Sequence, residues 1–459
     1  MIGIIGVLLS LALLMYLAYR GMDIIILAPV AALVAVLFNG DAPVFATYTQ
    51  IFMPGLGRFV VDYFPVFLLG AIFGKLMEGS GSAKVISHKI AESLGTRHAV
   101  LAIVLACAIL TYGGVSLFVV VFAVYPLSAA LFREADVPKR LMPATIALGA
   151  FTFTMTCLPG TVQIQNLIPM PYFKTTAFAA PVLGLVGGVL MFVFGMIWLN
   201  WQVRAATRAG EGYGKGHKNE DDDATHDALP SFTVAMIPIV AVIMLNYLFA
   251  EQIIPRWDAS YLAEEKFGAT DLNRVRGIWA ILAALLLASG LVAMLNYRSL
   301  KKFNESVGKG AVGSLVPIFN TASVVGYGAT IGSLPAFALV RDWVLHICPG
   351  NPLISEAISV TTLAGITGSA SGGMRIALES LGNTYYEMSQ AAGIDPELMH
   401  RVASMASGGL DSLPHNGAVI TLLVVCGLTH KQSYKDVAVV SLVIPLVVTA
   451  IVIGLGSLL

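Results

Sequence analysis

Long uncharged apolar runs alternate with short polar stretches along the chain. Residues 2–19, 178–203, 231–250, 277–297 and 437–459 carry no charged side chain. Each approaches or exceeds the ~20 apolar residues that a helix rising 1.5 Å per residue needs to cross a hydrocarbon core. No positive charge precedes the first run, and a second apolar run, 24–38, follows at once. The first run therefore reads as a spanning helix and not as a secretory signal.

The long internal polar tract, 204–230, places Gly210, Gly212, Gly214 and Gly216 ahead of an acidic run from Glu220 to Asp223. It reads as a flexible, solvated linker between a first transmembrane half, 1–203, and a second, 231–459. With the N-terminus outside, the inside segments are Arg20, 75–97, 133–140, 204–218 and 298–309, all basic, whereas 39–58 is poor in positive charge. The positive-inside rule thus predicts N-terminus out and linker in the cytoplasm, for a multi-pass protein of the cell's inner (plasma) membrane.

This orientation gives 141–173 one net crossing although it contains Pro143, Pro159, Pro169 and Pro171. A broken helix is implied, because backbone freed by proline survives in a membrane only where protein or a water-filled cavity satisfies it. The second half echoes the first. Pro138, Leu141-Met142 and Leu158-Pro159-Gly160 correspond to Pro396, Leu398-Met399 and Leu413-Pro414, with leucine-to-Leu-Pro spacings of 17 and 15 residues. Breaks at matching places in two halves point to a binding site at the membrane midplane. The predicted fold is an all-α polytopic membrane protein of two inverted-topology halves with broken or re-entrant helices, about 12 spans.

Three polar, glycine-rich stretches interrupt the apolar spans. The first, 152–166, contains Thr156, Gly160, Thr161, Gln163 and Asn166; the second, 361–373, contains Thr367, Gly368, Ser369, Ser371 and Gly372; the third, 408–417, contains Asp411, His415 and Asn416. Glycine admits close backbone approach, and hydroxyls and amides hydrogen-bond carboxylate and hydroxyl oxygens. A half-helix starting at such a break aims unpaired N–H groups at the site and favours an anion. Small residues also serve plain helix packing.

Asp411 and His415, four apart, share a face if the backbone there is helical; histidine could carry a coupling proton, and Asp411 could orient it or bind a cation. Arg375 and Glu379 have the spacing of a helical ion pair, which reads as an interfacial anchor or as a bidentate carboxylate contact. Tyr112, Gly113, Gly114 and Ser116, and Asn320, Thr321, Ser323 and Tyr327, are further polar interruptions.

Composition narrows the function. Hydrophobic residues make up 57% and charged residues 12%, a balance that requires lipid as the solvent. Lys plus Arg equals Asp plus Glu at 27 each, with no basic aromatic stripe, so nucleic acid is not an expected partner. Cys107, Cys157, Cys348 and Cys426 stand singly in apolar segments and read as packing residues, not as a metal or disulfide set. The sequence lacks an HExxH helix, a GxSxG elbow and a Walker loop, and neither an enzyme nor a cofactor is expected.

Several motifs carry a family resemblance: Asn351-Pro352-Leu353 ahead of Thr367-Gly368-Ser369-Ala370, the 408–417 stretch, and Gly74-Lys75-Leu76 followed by Glu78, Ser80 and Gly81. In these the chain resembles the gluconate permease (GntP) family of the ion transporter superfamily. The resemblance implies proton-coupled uptake of small hydroxy acids by two inverted halves with re-entrant or broken helices, and suits an elevator-type carrier built as a homodimer. The first break departs from the proline- and histidine-rich pattern of gluconate carriers, which turns the expectation toward a shorter acid such as hydroxybutyrate.

The expected function is a proton symporter for a small hydroxy-carboxylate, with substrate held near Thr156 to Asn166, Thr367 to Gly372 and Asn416, and coupling through His415 and Asp411. Sodium coupling to a citrate-like acid is the alternative, and an anion channel a weaker one, since no charged ring lines a pore.

Overall fold

The computed structural model describes residues 2–19, 22–40, 42–115, 117–214, 229–297, 303–336, 351–414 and 416–458. Helix is the regular structure throughout the described residues, as lipid demands of a backbone that must satisfy its own polar groups. The first half comprises α1 (Ile2–Tyr19), α2 (Ile24–Leu37), α3 (Val44–Gly79), α4 (Ser82–Leu94), α5 (Ala99–Tyr112) and α6 (Leu117–Glu134). It continues through the short pieces α7 (Met142–Ala150), α8 (Phe153–Thr156), α9 (Ile164–Leu167) and α10 (Met170–Phe173), and ends with α11 (Pro181–Arg208). The second half holds α12 (Phe232–Arg256), α13 (Leu272–Leu295), α14 (Phe303–Ser333), α15 (Pro352–Thr367), α16 (Ala370–Ala392), α17 (Pro396–Ser407), α18 (Gly417–Val425) and α19 (His430–Gly456).

Among the described residues six helices, α3, α11, α12, the 275–295 part of α13, α14 and α19, are long and apolar enough to cross a membrane. This is a multi-pass membrane protein. The segment 39–58, expected as a loop, is helical from Val44 onward, with one π turn at Tyr48–Phe52. Between Leu141 and Phe173 the chain is broken into four short helices, as its prolines require. The interval between α14 and α16 contains α15, packed along α16.

Small residues set how closely these helices approach. Gly184, Gly187, Gly188 and Gly195 form the buried side of α11, facing Cys157, Met405, Leu158 and Leu148. Val182, Leu185, Val189 and Ile197 of the same helix are exposed, the face that lipid covers. α3 and α14 run antiparallel, since Gly55 meets Ala329 while Gly310 meets Ile72.

Two ends of the bundle are distinguishable. At the linker face Arg140 donates to Glu211 (2.7 and 3.0 Å) and to Asp436 (2.9 Å), and Asp136 accepts from the Tyr213 amide at 2.8 Å. At the distal face the Ala180 amide donates to Glu397 (2.9 Å) and Asn351 donates to Ser457 (2.6 Å).

Candidate functional site

Each half contributes one helical hairpin and one broken helix, and the four irregular tips converge. In the second half α15 ends at Gly368, whose φ of +61° suits glycine. The chain turns there, and Ser369 caps α16 by accepting from the Gly372 amide at 3.1 Å. The hairpin closes tightly because Gly373 lies against the backbone of Leu363 and Ala364, leaving no space for a Cβ. The break between α17 and α18 ends at Asn416, whose Oδ1 accepts from the Ala418 and Val419 amides (2.6 and 2.9 Å) and whose Nδ2 donates to Gly368 O at 2.8 Å. One amide side chain thus ties break to hairpin tip.

The first half does the same with different residues. α5 and α6 are joined through Gly113 and Gly114, the latter at φ +91°. Gln163, in the break between α8 and α9, donates to Thr111 O at 2.6 Å, and the Tyr112 hydroxyl donates to Pro159 O at 2.7 Å.

A cavity of about 500 Å³ lies where these tips meet. Its lining includes Gly114 from the first tip, Gln163 and Gln165 from the first break, Gly368 to Ser371 from the second tip, and Asp411, Ser412 and Asn416 to Ala418 from the second break. Asn320 and Thr321 of α14 complete one wall. The cavity reaches the linker face at Met22 and Asp23, both exposed. α16 and α18 both start at this lining, so the first-turn amides of two helices, which lack intrahelical acceptors, border it.

Gln165 Oε1 and Asn320 Oδ1 are buried without a hydrogen-bond partner among the described residues. Such acceptors call for donors from a ligand or water. The charged side chains on the described lining are Asp23 and Asp411, with no lysine or arginine. Asp411 accepts from the Ser412 hydroxyl at 3.0 Å.

Of the residues singled out in the sequence, the cavity brings together Gly114, Gln163, Asn320, Thr321, Gly368, Ser369, Ser371, Asn416 and Asp411. Thr156, Gly160, Thr161, Asn166 and Gly372 lie off its lining. Thr156 spends its hydroxyl on Thr152 O at 3.2 Å, and Asn166 donates to Thr161 O and Ala177 O (2.9 and 2.8 Å). Thr367 ends α15, and its side chain lies outside the description; His415 lies outside the described residues altogether. Residues 411–414 are turns and bends, so Asp411 does not sit on a helical face four residues from position 415.

The sequence reading overlooked His400 and Arg401 of α17, both fully buried. Arg401 donates to Ala179 O (2.8 and 3.2 Å), Asn166 Oδ1 (2.9 Å) and Thr156 O (3.4 Å), and His400 bonds Thr175 and Asn166. The guanidinium fork gathers carbonyls freed by the first break, which makes it the brace of the broken helix. Its signal in the sequence is a lone His-Arg pair in the otherwise uncharged stretch 398–410.

A profile of GntP family permeases matches residues 1–269. The chain is 45% identical over 463 residues, 98% of each sequence, to the uncharacterized transporter YxjC of Bacillus subtilis (strain 168). It is 29% identical over 181 residues, 38% of this chain and 39% of the other, to an uncharacterized transporter of Haemophilus influenzae. Two solved transporters share the fold. MtrF of Neisseria gonorrhoeae, from a class of antimetabolite efflux pumps, aligns at TM-score 0.55 and 14% identity over 91% of this chain and 84% of its own. YdaH of Alcanivorax borkumensis aligns at 0.50 and 15% over 88% and 86%.

Proposed function

The chain belongs to the GntP permease family and is a membrane transporter, and from that premise we propose that it is a proton symporter for a small hydroxy-carboxylate. The observation that carries this reading is the cavity at which two hairpin tips and two helix breaks meet. Helix starts at Ala370 and Gly417 suit a carboxylate, and the Ser369 and Ser371 hydroxyls add donors. Gln165 Oε1 and Asn320 Oδ1 suit the substrate hydroxyl, which must donate.

The lining's charge supports coupling to a cation. Asp411 stands in a cavity with no lysine or arginine on its described lining, so an entering monoanion needs a positive charge to accompany it. A proton on Asp411 meets this need, and His415 is its proposed partner. Sodium coordinated by Asp411 and the carbonyls at the α15 and α17 ends is the alternative.

The order of elements supports two inverted halves. α1, α2, α3, the α5–α6 hairpin, the broken α7–α10 and α11 correspond in sequence to α12, α13, α14, the α15–α16 hairpin, the broken α17–α18 and α19. On this reading the first hairpin enters from the linker face and the second from the distal face, the N-terminus lies outside, and the linker is cytoplasmic at the inner membrane. The cavity then opens inward in this conformation, and one body rocks or slides against the other to alternate access.

Binding tests the reading before transport does. Gluconate, 3-hydroxybutyrate, lactate and citrate are each added to purified protein while thermal unfolding is followed. A ligand at about 100 times its Kd stabilises by ~2.7 kcal/mol. We expect one hydroxy acid to raise the midpoint in the parent and to lose that effect in Ser371→Ala and in Gln165→Leu. A shift retained undiminished in both variants would remove this cavity as the binding site.

A further inference from the structure

Arg375 is the one arginine within the first two turns of α16, four residues beyond Ser371 on the cavity lining and so about 6 Å toward the distal face. Its side chain is 6% exposed. The guanidinium donates to Asp62 at 3.3 Å and to the Tyr63 hydroxyl at 3.2 Å, and forms an ion pair with Glu379 at 3.2 Å. The Phe59, Tyr63 and Tyr172 rings stand around it at 5.3 to 5.5 Å, and the Tyr172 hydroxyl donates to Glu379 at 2.7 Å. The cluster therefore ties α3, the broken helix and the second hairpin together on the side of the cavity away from Met22 and Asp23.

Two carboxylates share one guanidinium, both are partly exposed at 47% and 34%, and Arg375 Nε is buried with no partner among the described residues. An arginine fork binds a carboxylate best through two parallel N–H donors, so the free Nε leaves capacity for a better-aligned anion.

We propose that Arg375 is the carboxylate-binding residue of a gate on the distal side of the cavity. Asp62 and Glu379 occupy it in this conformation, and a small carboxylate arriving from the distal face takes their place as the gate opens. The proposal rests on the carboxylate-carrier reading for its ligand, and on geometry alone for the gate. The aromatic rings close around the guanidinium when the acids hold it, and part when the hairpin carrying Arg375 moves away from α3.

The test is thiol labelling of Ala418→Cys, a cavity position, by a membrane-impermeant methanethiosulfonate in membrane vesicles of both orientations. Ser260→Cys, exposed in the connection between α12 and α13, marks the distal face, and the chain without an added cysteine is the blank. With the cluster intact, labelling proceeds from the linker face and is slow from the distal face. Asp62→Asn combined with Glu379→Gln raises the distal rate by about tenfold, as does Arg375→Gln, while linker-face labelling reports that each variant is folded.

Distal 3-hydroxybutyrate accelerates distal labelling in the parent and has no such effect in Arg375→Gln. An unchanged distal rate in both the double variant and Arg375→Gln overturns the gate, whatever the protein carries. A tenfold rise with no response to hydroxybutyrate, lactate, gluconate or citrate overturns the carboxylate exchange and leaves the gate standing.

Discussion

A single methyl group at Gly373 tests whether the second hairpin must be closed for transport. A Cβ there falls inside the van der Waals envelope of Ala364 N, Ala364 Cα and the Leu363 carbonyl carbon. These are backbone atoms and cannot rotate away. Ordinary contact lies near ~3.5 Å, so α15 and α16 must part by more than about 1 Å. Overpacking of this kind costs about 1–3 kcal/mol, small enough for the protein to remain folded.

The displacement is delivered to Gly368 to Ser371, two to five residues away at the hairpin tip. A misplacement of about 1 Å at a functional site costs on the order of a hundredfold in rate. Gly373→Ala should therefore lower uptake by about that factor, with a thermal midpoint a few degrees below the parent. Gly454→Ala, where a Cβ meets nothing within 4 Å, is the matched control and should transport at the parent rate. Parent-level uptake by Gly373→Ala would refute the claim that tip position sets the rate.

Other substitutions probe separate parts. Arg401→Gln removes two short charge-assisted bonds, each worth about 1.5–3 kcal/mol, and leaves Ala179 O without its donor; we expect a loss of about 2–5 kcal/mol in thermal or denaturant unfolding, larger than for Arg401→Lys. Gly368→Ala forces a side chain into left-handed backbone at about 1–2 kcal/mol and should lower the unfolding midpoint accordingly. Arg140→Gln strips the linker-face Asp436, whose side chain is 3% exposed, of its cation and leaves it the Trp198 indole at 3.2 Å; a cost of about 1–3 kcal/mol should appear in the unfolding midpoint and persist in high salt.

Much of the architecture was legible because lipid imposes length. The runs that read as spanning in the sequence correspond to helices α1, α11, α12, α13 and α19, and the segment 141–173 with its prolines is fragmented into short helices. The start of α3 was not legible, because residues 39–58 mix prolines, glycines and polar side chains that helix packing against α14 overrides. Within the site, composition located the stretches but not the direction each side chain takes.

Thr156 and Asn166 are polar, yet they serve the broken backbone, whereas Gln163 and Asn416 bridge breaks to tips while still lining the cavity. Which of these a polar residue does depends on contacts some 50 or more residues away in the chain, such as those between Arg401 and the 156–179 region. The charge at Arg401 was visible in the sequence; its carbonyl partners were not.

The most direct measurement is uptake into proteoliposomes under an imposed pH gradient without sodium, with the same four acids, comparing the parent with Asp411→Asn. The account predicts that one hydroxy acid accumulates in the parent and that collapsing the gradient releases it. Asp411→Asn should lose accumulation while still exchanging internal for external acid. Absence of accumulation in the parent with and without sodium, or full gradient-driven accumulation by Asp411→Asn, would contradict it.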